Sequence, residues 1–377
     1  MKQDSDLRNN LKSIRTRLGM SQQDLANIAG VTRQTISGVE SGQYAPSVAI
    51  TLRLAKALGC QVEDLFWLDQ DLPQIEAVLT KPIPSGQSVR LSLARVGGQW
   101  IAYPLLGKDA FRQDMIPADA EGVSQAGSGK VQVRLLDDNL AALHNTVVIA
   151  GCAPVIALWA RATERWHPQL RVHFTFANSI DALQSLCRGE AHIAGMHLYD
   201  PDTKEHNVPF AREILAGREA VLITLGLWQE GLIVPSGNPK GFKKLSDVVE
   251  AQATIVNREV GAGSRMLLEQ QLRQEKIPLE AVKGFEQIAT SHQDVAQAVA
   301  LGLVDAGIST ASVATAFGLG FVPLHQSRYD LVILKEYLEE APIQQLLSTL
   351  GHRMVHSQLE VLGGYDITKI GEVVATV

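Results

Sequence analysis

The sequence predicts a multi-domain chain: an all-α N-terminal domain, a small β-rich middle segment and a larger α/β domain. Three observations carry this. Apolar residues recur at helical spacing through about residue 68. Strict alternation takes over across residues 88–105. From about residue 145 the chain repeats strand, tight turn and helix, the rhythm of a sheet covered by helices on both faces. A length of 377 residues exceeds one ordinary domain, and 46% hydrophobic with 20% charged residues suits folded rather than disordered domains.

The N-terminal part is organised around residues 21–42, SQQDLANIAGVTRQTISGVESG. Ser21 caps a first helix whose apolar positions are Leu25, Ile28 and Ala29. Gly30 ends it in a left-handed conformation, and Val31 fills the corner. Thr32 caps a second helix that turns Ile36 and Val39 inward. Arg33, Gln34, Thr35, Ser37 and Gly38 then face outward, a short polar set suited to the major groove of DNA. Charge agrees. Residues 1–66 hold eight Lys or Arg against six Asp or Glu, net +2, while the remainder holds 26 against 34, net −8. Only the first part has the sign that suits a phosphate backbone.

Residues 69–87 read as a linker with one short helix near residues 74–79. Residues 88–95 and 99–105 form a hairpin around Gly97-Gly98. Residues 131–136 are a further strand, and 107–130 are loop-like, with GVSQAGSGK the least ordered stretch. In the α/β part, strands are expected at 147–150, 171–176, 191–196, 220–224, 230–234, 254–257, 306–309, 321–323 and 330–334. Helices are expected at 155–166, 180–188, 244–251, 265–275, 295–301 and 311–318, with a closing helix opening at 343–348. The sheet is expected to be mostly parallel.

Open α/β sheets bind ligands beyond the carboxyl ends of their strands, where helix N-termini present unpaired N–H groups. Three short turns qualify: Gly151-Cys152-Ala153, Asn178-Ser179 and Gly261-Ala262-Gly263-Ser264-Arg265. Arg265 stands where a helix begins, a poor place for a cation unless an anion or a carboxylate such as Glu259 or Glu269 offsets it. Ser309 and Thr310 end the strand DAGIST. Ser291-His292 reads as a helix cap.

The three cysteines, Cys60, Cys152 and Cys187, are scattered, with no disulfide framework or zinc spacing. The polar start is no signal peptide, and the longest apolar run, 147–160, contains Pro154 and is too short for a bilayer. A cytoplasmic protein without membrane attachment is expected. No nucleophile elbow, P-loop or dinucleotide fingerprint is present, so an enzyme is not expected, and Cys152 has no identifiable base.

Residues 21–42 and their flanks, roughly 7–68, resemble the helix-turn-helix of the phage-repressor (XRE-like) class. The resemblance implies that Gln22 contacts a phosphate, that Arg15 and Glu40 form a buried ion pair, and that Thr32, Arg33, Gln34, Thr35 and Ser37 face DNA. Gly38 departs from the longer polar residue common there. A second resemblance rests on VVIAGCAP, NREVGAGSR, TSHQDVAQAVALGLVDAGIST and WQEGLIVPSGNPKGFKKLSDV. Residues 145–377 are similar to the two-lobed, type II periplasmic-binding-protein fold, and more narrowly to the molybdate-binding-like domain fused behind helix-turn-helix modules in bacterial regulators. It implies lobe one at about 145–229 and 321–377, and lobe two at about 230–320. It also implies a small anion, molybdate or tungstate, held by Cys152, Ala153, Ser179, Gly263, Ser264, Arg265 and Ser309. No cofactor is expected. The partners expected are a double-stranded DNA operator and a second copy of the chain. Two readings stay beside this one: a larger anion such as a molybdopterin-type cofactor or its precursor, and a C-terminal domain that serves only for oligomerisation. Domains are therefore expected at 1–68, 69–144 and 145–377.

Overall fold

A computed structural model describes residues 7–68, 74–111, 115–124, 129–137 and 140–377. The chain forms two compact units, divided between residues 73 and 74.

The first unit is helical: α1 (Leu11–Arg17), α2 (Gln22–Ala29), α3 (Arg33–Glu40), α4 (Val48–Leu58) and α5 (Val62–Leu65). Ser21 Oγ accepts the Asp24 amide at 3.1 Å while Asp24 Oδ2 accepts the Ser21 amide at 2.8 Å, a reciprocal capping box. Gly30, at φ 66°, ends α2 as expected. Thr32 Oγ1 accepts the Thr35 amide and starts α3. Leu11, Leu25, Ala26, Ile36, Val39, Leu54 and Leu65 close the core; each buried Leu or Ile contributes ~1.5–3 kcal/mol. Two expectations are corrected. Ile28 lies on the outer face, and Ala26 takes the inward place. The unit is also not wholly helical: β1 (Leu7–Asn9) and β2 (Phe66–Leu68) pair antiparallel and tie its two ends together.

The second unit begins with a closed five-stranded barrel made of β3 (Gln74–Leu79), β4 (Ser88–Val96), β5 (Gln99–Pro104), β6 (Ala120–Ser124) and β7 (Lys130–Leu135), in the order β3-β5-β4-β6-β7. The helix expected at Gln74–Leu79 is a strand, because it pairs with both β5 and β7 and buries Ala77. The loop expected around residues 107–130 contains β6. Its signal is weak because Gly122 must lack a side chain: a Cβ there would lie 2.8 Å from Val131 Cγ2 and 2.9 Å from Leu91 Cδ1. The centre of GVSQAGSGK, residues 125–128, lies outside the described residues, as do 69–73 of the expected linker.

The barrel packs onto the α/β domain through Ala94, Val96, Ile101 and Tyr103, which share one apolar cluster with its strands. That domain contains α6 (Leu140–His144), β8 (Thr146–Gly151), α7 (Pro154–Trp166), β9 (Arg171–Phe176), α8 (Ser179–Cys187), β10 (Ile193–Met196), β11 (Tyr199–Asp200), β12 (Glu205–His206), α9 (Val208–Leu215) and β13 (Ala220–Val234). It continues with α10 (Leu245–Glu250), β14 (Ile255–Arg258), α11 (Gly263–Gln274), β15 (Ile288–Ala289), α12 (His292–Ala300), β16 (Ala306–Thr310), α13 (Ala311–Ala316) and β17 (Gly320–Leu334). The chain closes with α14 (Lys335–Leu338), α15 (Ala341–Ser348), α16 (Arg353–Leu362), β18 (Tyr365–Asp366) and β19 (Val373–Thr376).

The sheet order is β15-β14-β16-β13-β17-β10-β8-β9, with β18 and β19 against β13. Each outer half is parallel, as expected. The centre is not. β13 and β17 run antiparallel to each other over their full length, and each replaces two short strands expected from sequence. Register shifts between Thr224 and Gly226 and between Glu230 and Gly231 break the alternation that would have revealed them. The pair serves both halves: residues 220–224 and 330–334 lie with the β8–β10 side, and residues 230–233 pair with β16.

Candidate functional site

On the first unit, α3 presents Arg33, Gln34 and Ser37 to solvent, and Thr32 and Thr35 share a 2.8 Å hydroxyl contact at its start. Arg15 Nε lies 2.6 Å from Glu40 Oε1, and Gln22 Nε2 donates to Glu40 Oε2 at 2.8 Å. The resemblance implied both the ion pair and a phosphate contact for Gln22; the ion pair is present and holds Gln22 from below. Gly38 is explained by Tyr44, whose Cβ would stand 3.3 Å from a side chain there.

In the second unit, the turns singled out from sequence converge on a histidine that sequence reasoning missed. His197 follows β10. Its amide donates to Ser179 Oγ at 3.2 Å, and its Nδ1 lies 3.2 Å from Glu230 Oε2. Ser264 Oγ donates to Glu230 Oε1 at 2.7 Å, and Ser327 Oγ donates to Oε2 at 2.5 Å. Gly263 allows the approach, since a Cβ there would stand 2.2 Å from the His197 carbonyl oxygen. Cys152, at the turn after β8, offers its thiol within 4.8 Å of the same imidazole. Ser309, next to last in β16, meets His292 Nδ1 at 3.1 Å. Ser291 caps α12 as expected, with its Oγ accepting the Asp294 amide.

Cys152, His197 and His292 each offer one ligand atom, all within 4.8 Å of one another. Trp228 packs edge-on to His197 at 4.7 Å and to His292 at 5.5 Å, with Tyr329 5.0 Å from Trp228. All are buried. Burial opposes charge here, yet Glu230 is held well below the usual carboxylate range by the His197 cation, by its hydrogen bond to His197 and by that from Ser327. Burial likewise lowers His197, but Glu230 and Cys152 outweigh it and raise the imidazole to about 10. Burial, with the Arg258 and His197 cations, keeps His292 well below its ordinary value, hence neutral. The pair is thus an imidazolium on a carboxylate, beside a neutral imidazole.

Several polar atoms at this junction are buried without a partner among the described residues: the donors Arg258 Nη1, Trp228 Nε1 and the Tyr329 hydroxyl, and His292 Nε2. Arg258, 1% exposed, ends β14 and binds Glu259 through Nε and Nη2 at 2.8 and 2.9 Å, leaving Nη1. The Tyr329 hydroxyl lies against β8 and β10, where a Cβ on Gly151 or Gly195 would stand 2.6 or 2.1 Å from it. Arg265 lies outside the cluster. Its Nε binds Glu269 at 2.9 Å, its Nη1 donates to the Arg258 carbonyl, and its guanidinium sits 5.1 Å above the Phe285 ring. The carboxylate partner considered from sequence is therefore in place.

So Cys152, Ser179, Gly263, Ser264 and Ser309 come together, Ala153 borders them, and Arg265 stands behind Arg258. Missed were His197, Glu230, Arg258, Trp228 and Tyr329. A signal existed: Glu230 is the single charged residue in the 15 of β13, and His197 and Arg258 stand at strand carboxyl ends. With Cys152 2% exposed, the arrangement encloses its contents. It suits ligation of a cation or donation to an anion.

A helical unit with an exposed polar recognition helix, joined to an α/β domain whose two halves share long crossing strands, defines a helix-turn-helix protein fused to a binding-protein-type domain. The "PBP superfamily domain" family matches residues 160–351 and the "Helix-turn-helix" family residues 11–65, so the chain belongs to the PBP superfamily and carries a helix-turn-helix domain. It is 33% identical over 199 residues to the "Uncharacterized protein YvgK" of Bacillus subtilis (strain 168), covering 53% of this chain and 64%, just under two thirds, of that protein's length. It is 42% identical over 65 residues to the "Uncharacterized HTH-type transcriptional regulator YgzD" of the same organism, covering 17% of this chain and 98% of that one. Among solved structures, a "Putative Phosphate ABC Transporter Substrate-Binding Protein with Bound Phosphate" from Clostridium perfringens aligns with a TM-score of 0.45 at 15% identity, covering 60% of this chain and all of that one. Among the described residues no helix is long and apolar enough to cross a membrane.

Proposed function

We propose that this chain is a cytoplasmic DNA-binding transcriptional regulator. It acts as a homodimer on a two-fold operator, with Arg33, Gln34 and Ser37 on base edges and Gln22, Thr32 and Thr35 at the backbone. Its effector is a small oxyanion, molybdate or tungstate first, held at the junction between the lobes. Lobe closure around it changes operator affinity, which requires the ligand to favour one conformer. One observation supports the effector reading: Arg258 Nη1, Trp228 Nε1 and the Tyr329 hydroxyl are buried without partners among the described residues, with Trp228 5.0 Å from Tyr329 and 5.5 Å from His292, the ring that the Arg258 charge acts on. Buried donors are costly until an acceptor meets them, and an oxyanion is an acceptor on every side. The tight enclosure favours a small ligand over a pterin.

Calorimetric titration with molybdate, tungstate, sulfate and phosphate tests the ligand. An operator selected from random duplexes, with affinity measured with and without that ligand, tests the coupling. Saturable binding of molybdate or tungstate and an operator affinity altered at least fivefold are expected. Failure of all four anions removes the oxyanion and leaves the DNA reading standing.

A further inference from the structure

We infer that Cys152, His197 and His292 form a binding site for a borderline d-block cation of the zinc or cobalt(II) type, joining the two halves of the α/β domain. This goes beyond the oxyanion reading and stands without it.

The donor set is one thiol and two imidazoles, with all ligand atoms within 4.8 Å of one another. Metal bonds of about 2.0–2.3 Å place tetrahedral ligands about 3.5 Å apart, so the cluster needs to contract by about 1 Å. Sulfur with nitrogen selects zinc-like ions and disfavours magnesium and calcium, which require oxygen.

The surroundings support ligation more closely than the ligands alone. Metal-bound histidines give their second ring nitrogen to a carboxylate or other polar partner, which fixes tautomer and orientation. Here His197 Nδ1 meets Glu230 and His292 Nδ1 meets Ser309. Both rings therefore turn Nε2 to the cluster. Glu230 is itself held by Ser264 and Ser327. His292 Nε2 is fully buried with no partner among the described residues, and because Ser309 Oγ donates to the His292 carbonyl and so accepts from Nδ1–H, Nε2 holds a lone pair with nothing to accept. A cation satisfies that atom. Ligation takes a thiolate and neutral imidazoles, so the ion displaces two protons, one from the Cys152 thiol and one from His197 Nε2, and the incoming double charge is balanced locally.

The placement gives the ion a structural consequence. Cys152 and His197 follow β8 and β10 in one half, and His292 opens α12 in the other. One ion tethers the two. Three protein ligands leave the fourth tetrahedral position open for an acceptor.

The test uses the full-length protein, stripped by chelator under reducing conditions in buffer free of oxyanions, then titrated with cobalt(II). The expected result is one cobalt per chain, with thiolate-to-cobalt charge transfer in the near ultraviolet and tetrahedral d–d absorption in the visible. Zinc should displace it and magnesium should not. Cys152→Ser should lose the charge-transfer band, and His292→Gln should weaken cobalt binding at least tenfold. Cys60→Ser and Cys187→Ser should change neither. Absence of a stoichiometric thiolate–cobalt band in folded wild-type protein overturns the proposal, as does a band that survives Cys152→Ser or disappears with Cys187→Ser. The wild-type spectrum decides the matter even if Cys152→Ser does not fold. Molybdate titration of the stripped and cobalt-loaded forms then separates the two readings: cation binding without molybdate binding removes only the oxyanion, and molybdate binding without cobalt removes only the cation.

Discussion

Ser264 Oγ donates a 2.7 Å hydrogen bond to Glu230 Oε1, so the start of α11 is fastened to the middle of β13 through a buried carboxylate. The same carboxylate faces His197. Two turns distant in sequence thus report to one charge.

Glu230→Gln keeps the shape and removes that charge. The His197 imidazolium then lacks its counter-ion, and breaking a buried pair from one side costs about 3–5 kcal/mol. Urea unfolding of the second unit, followed by Trp fluorescence, should show a loss in that range; a loss under 1 kcal/mol contradicts the pairing.

Arginine substitutions separate the two cations near the site. Arg258→Ala should abolish oxyanion binding in calorimetry, because its Nη1 is the buried guanidinium donor there. Arg265→Ala should weaken it far less, since its guanidinium is taken by Glu269 and the Arg258 carbonyl. The opposite ranking would move the anion to the α11 turn.

Gln34→Ala should weaken specific operator binding by about 1–3 kcal/mol, with non-specific binding at low salt unchanged. Equal affinities for wild type and variant would remove Gln34 from the groove. Gln22→Ala should instead lower the melting temperature of the first unit, because Gln22 also supports the Arg15–Glu40 pair.

Acid should weaken the second unit through His192. This buried ring accepts the Val148 amide on Nδ1 at 3.0 Å, and burial lowers its pKa to about 4. Its ordinary value is 6.5. Between those values the unfolded chain binds a proton that the folded one refuses, so stability falls as pH falls and is fully present above 6.5. The loss approaches about 3 kcal/mol by pH 4. Denaturation of wild type and His192→Gln across this range should show a shallower decline in the variant; identical slopes would place the effect elsewhere.

Much of this fold was legible because local and global signals agree. Ser21, Gly30 and Thr32 mark helix ends by hydrogen bonds they make within three or four residues. The outer strands of the sheet are short apolar runs bounded by turns. The misses share a physical origin. β13 and β17 are held by long-range pairing through two register shifts, so no local period marks them. β6 carries Gly122 because its neighbours leave no room, and an absent side chain announces nothing. At the site, the contacting serines were visible as turn residues. Their common target was not, since His197, Glu230 and His292 lie 33 to 95 positions apart in sequence and meet only when the sheet forms.

The closed barrel carries a further consequence. A sheet with free borders offers unpaired amides and carbonyls on which another chain can extend it. Here β3 and β7 pair with each other and leave the ring without a border. The five barrel strands thus resist templated polymerisation even though they are rich in β-branched and aliphatic side chains. In the large sheet the strand path ends at β9 and β15, and the two residues of β15 give little to build upon.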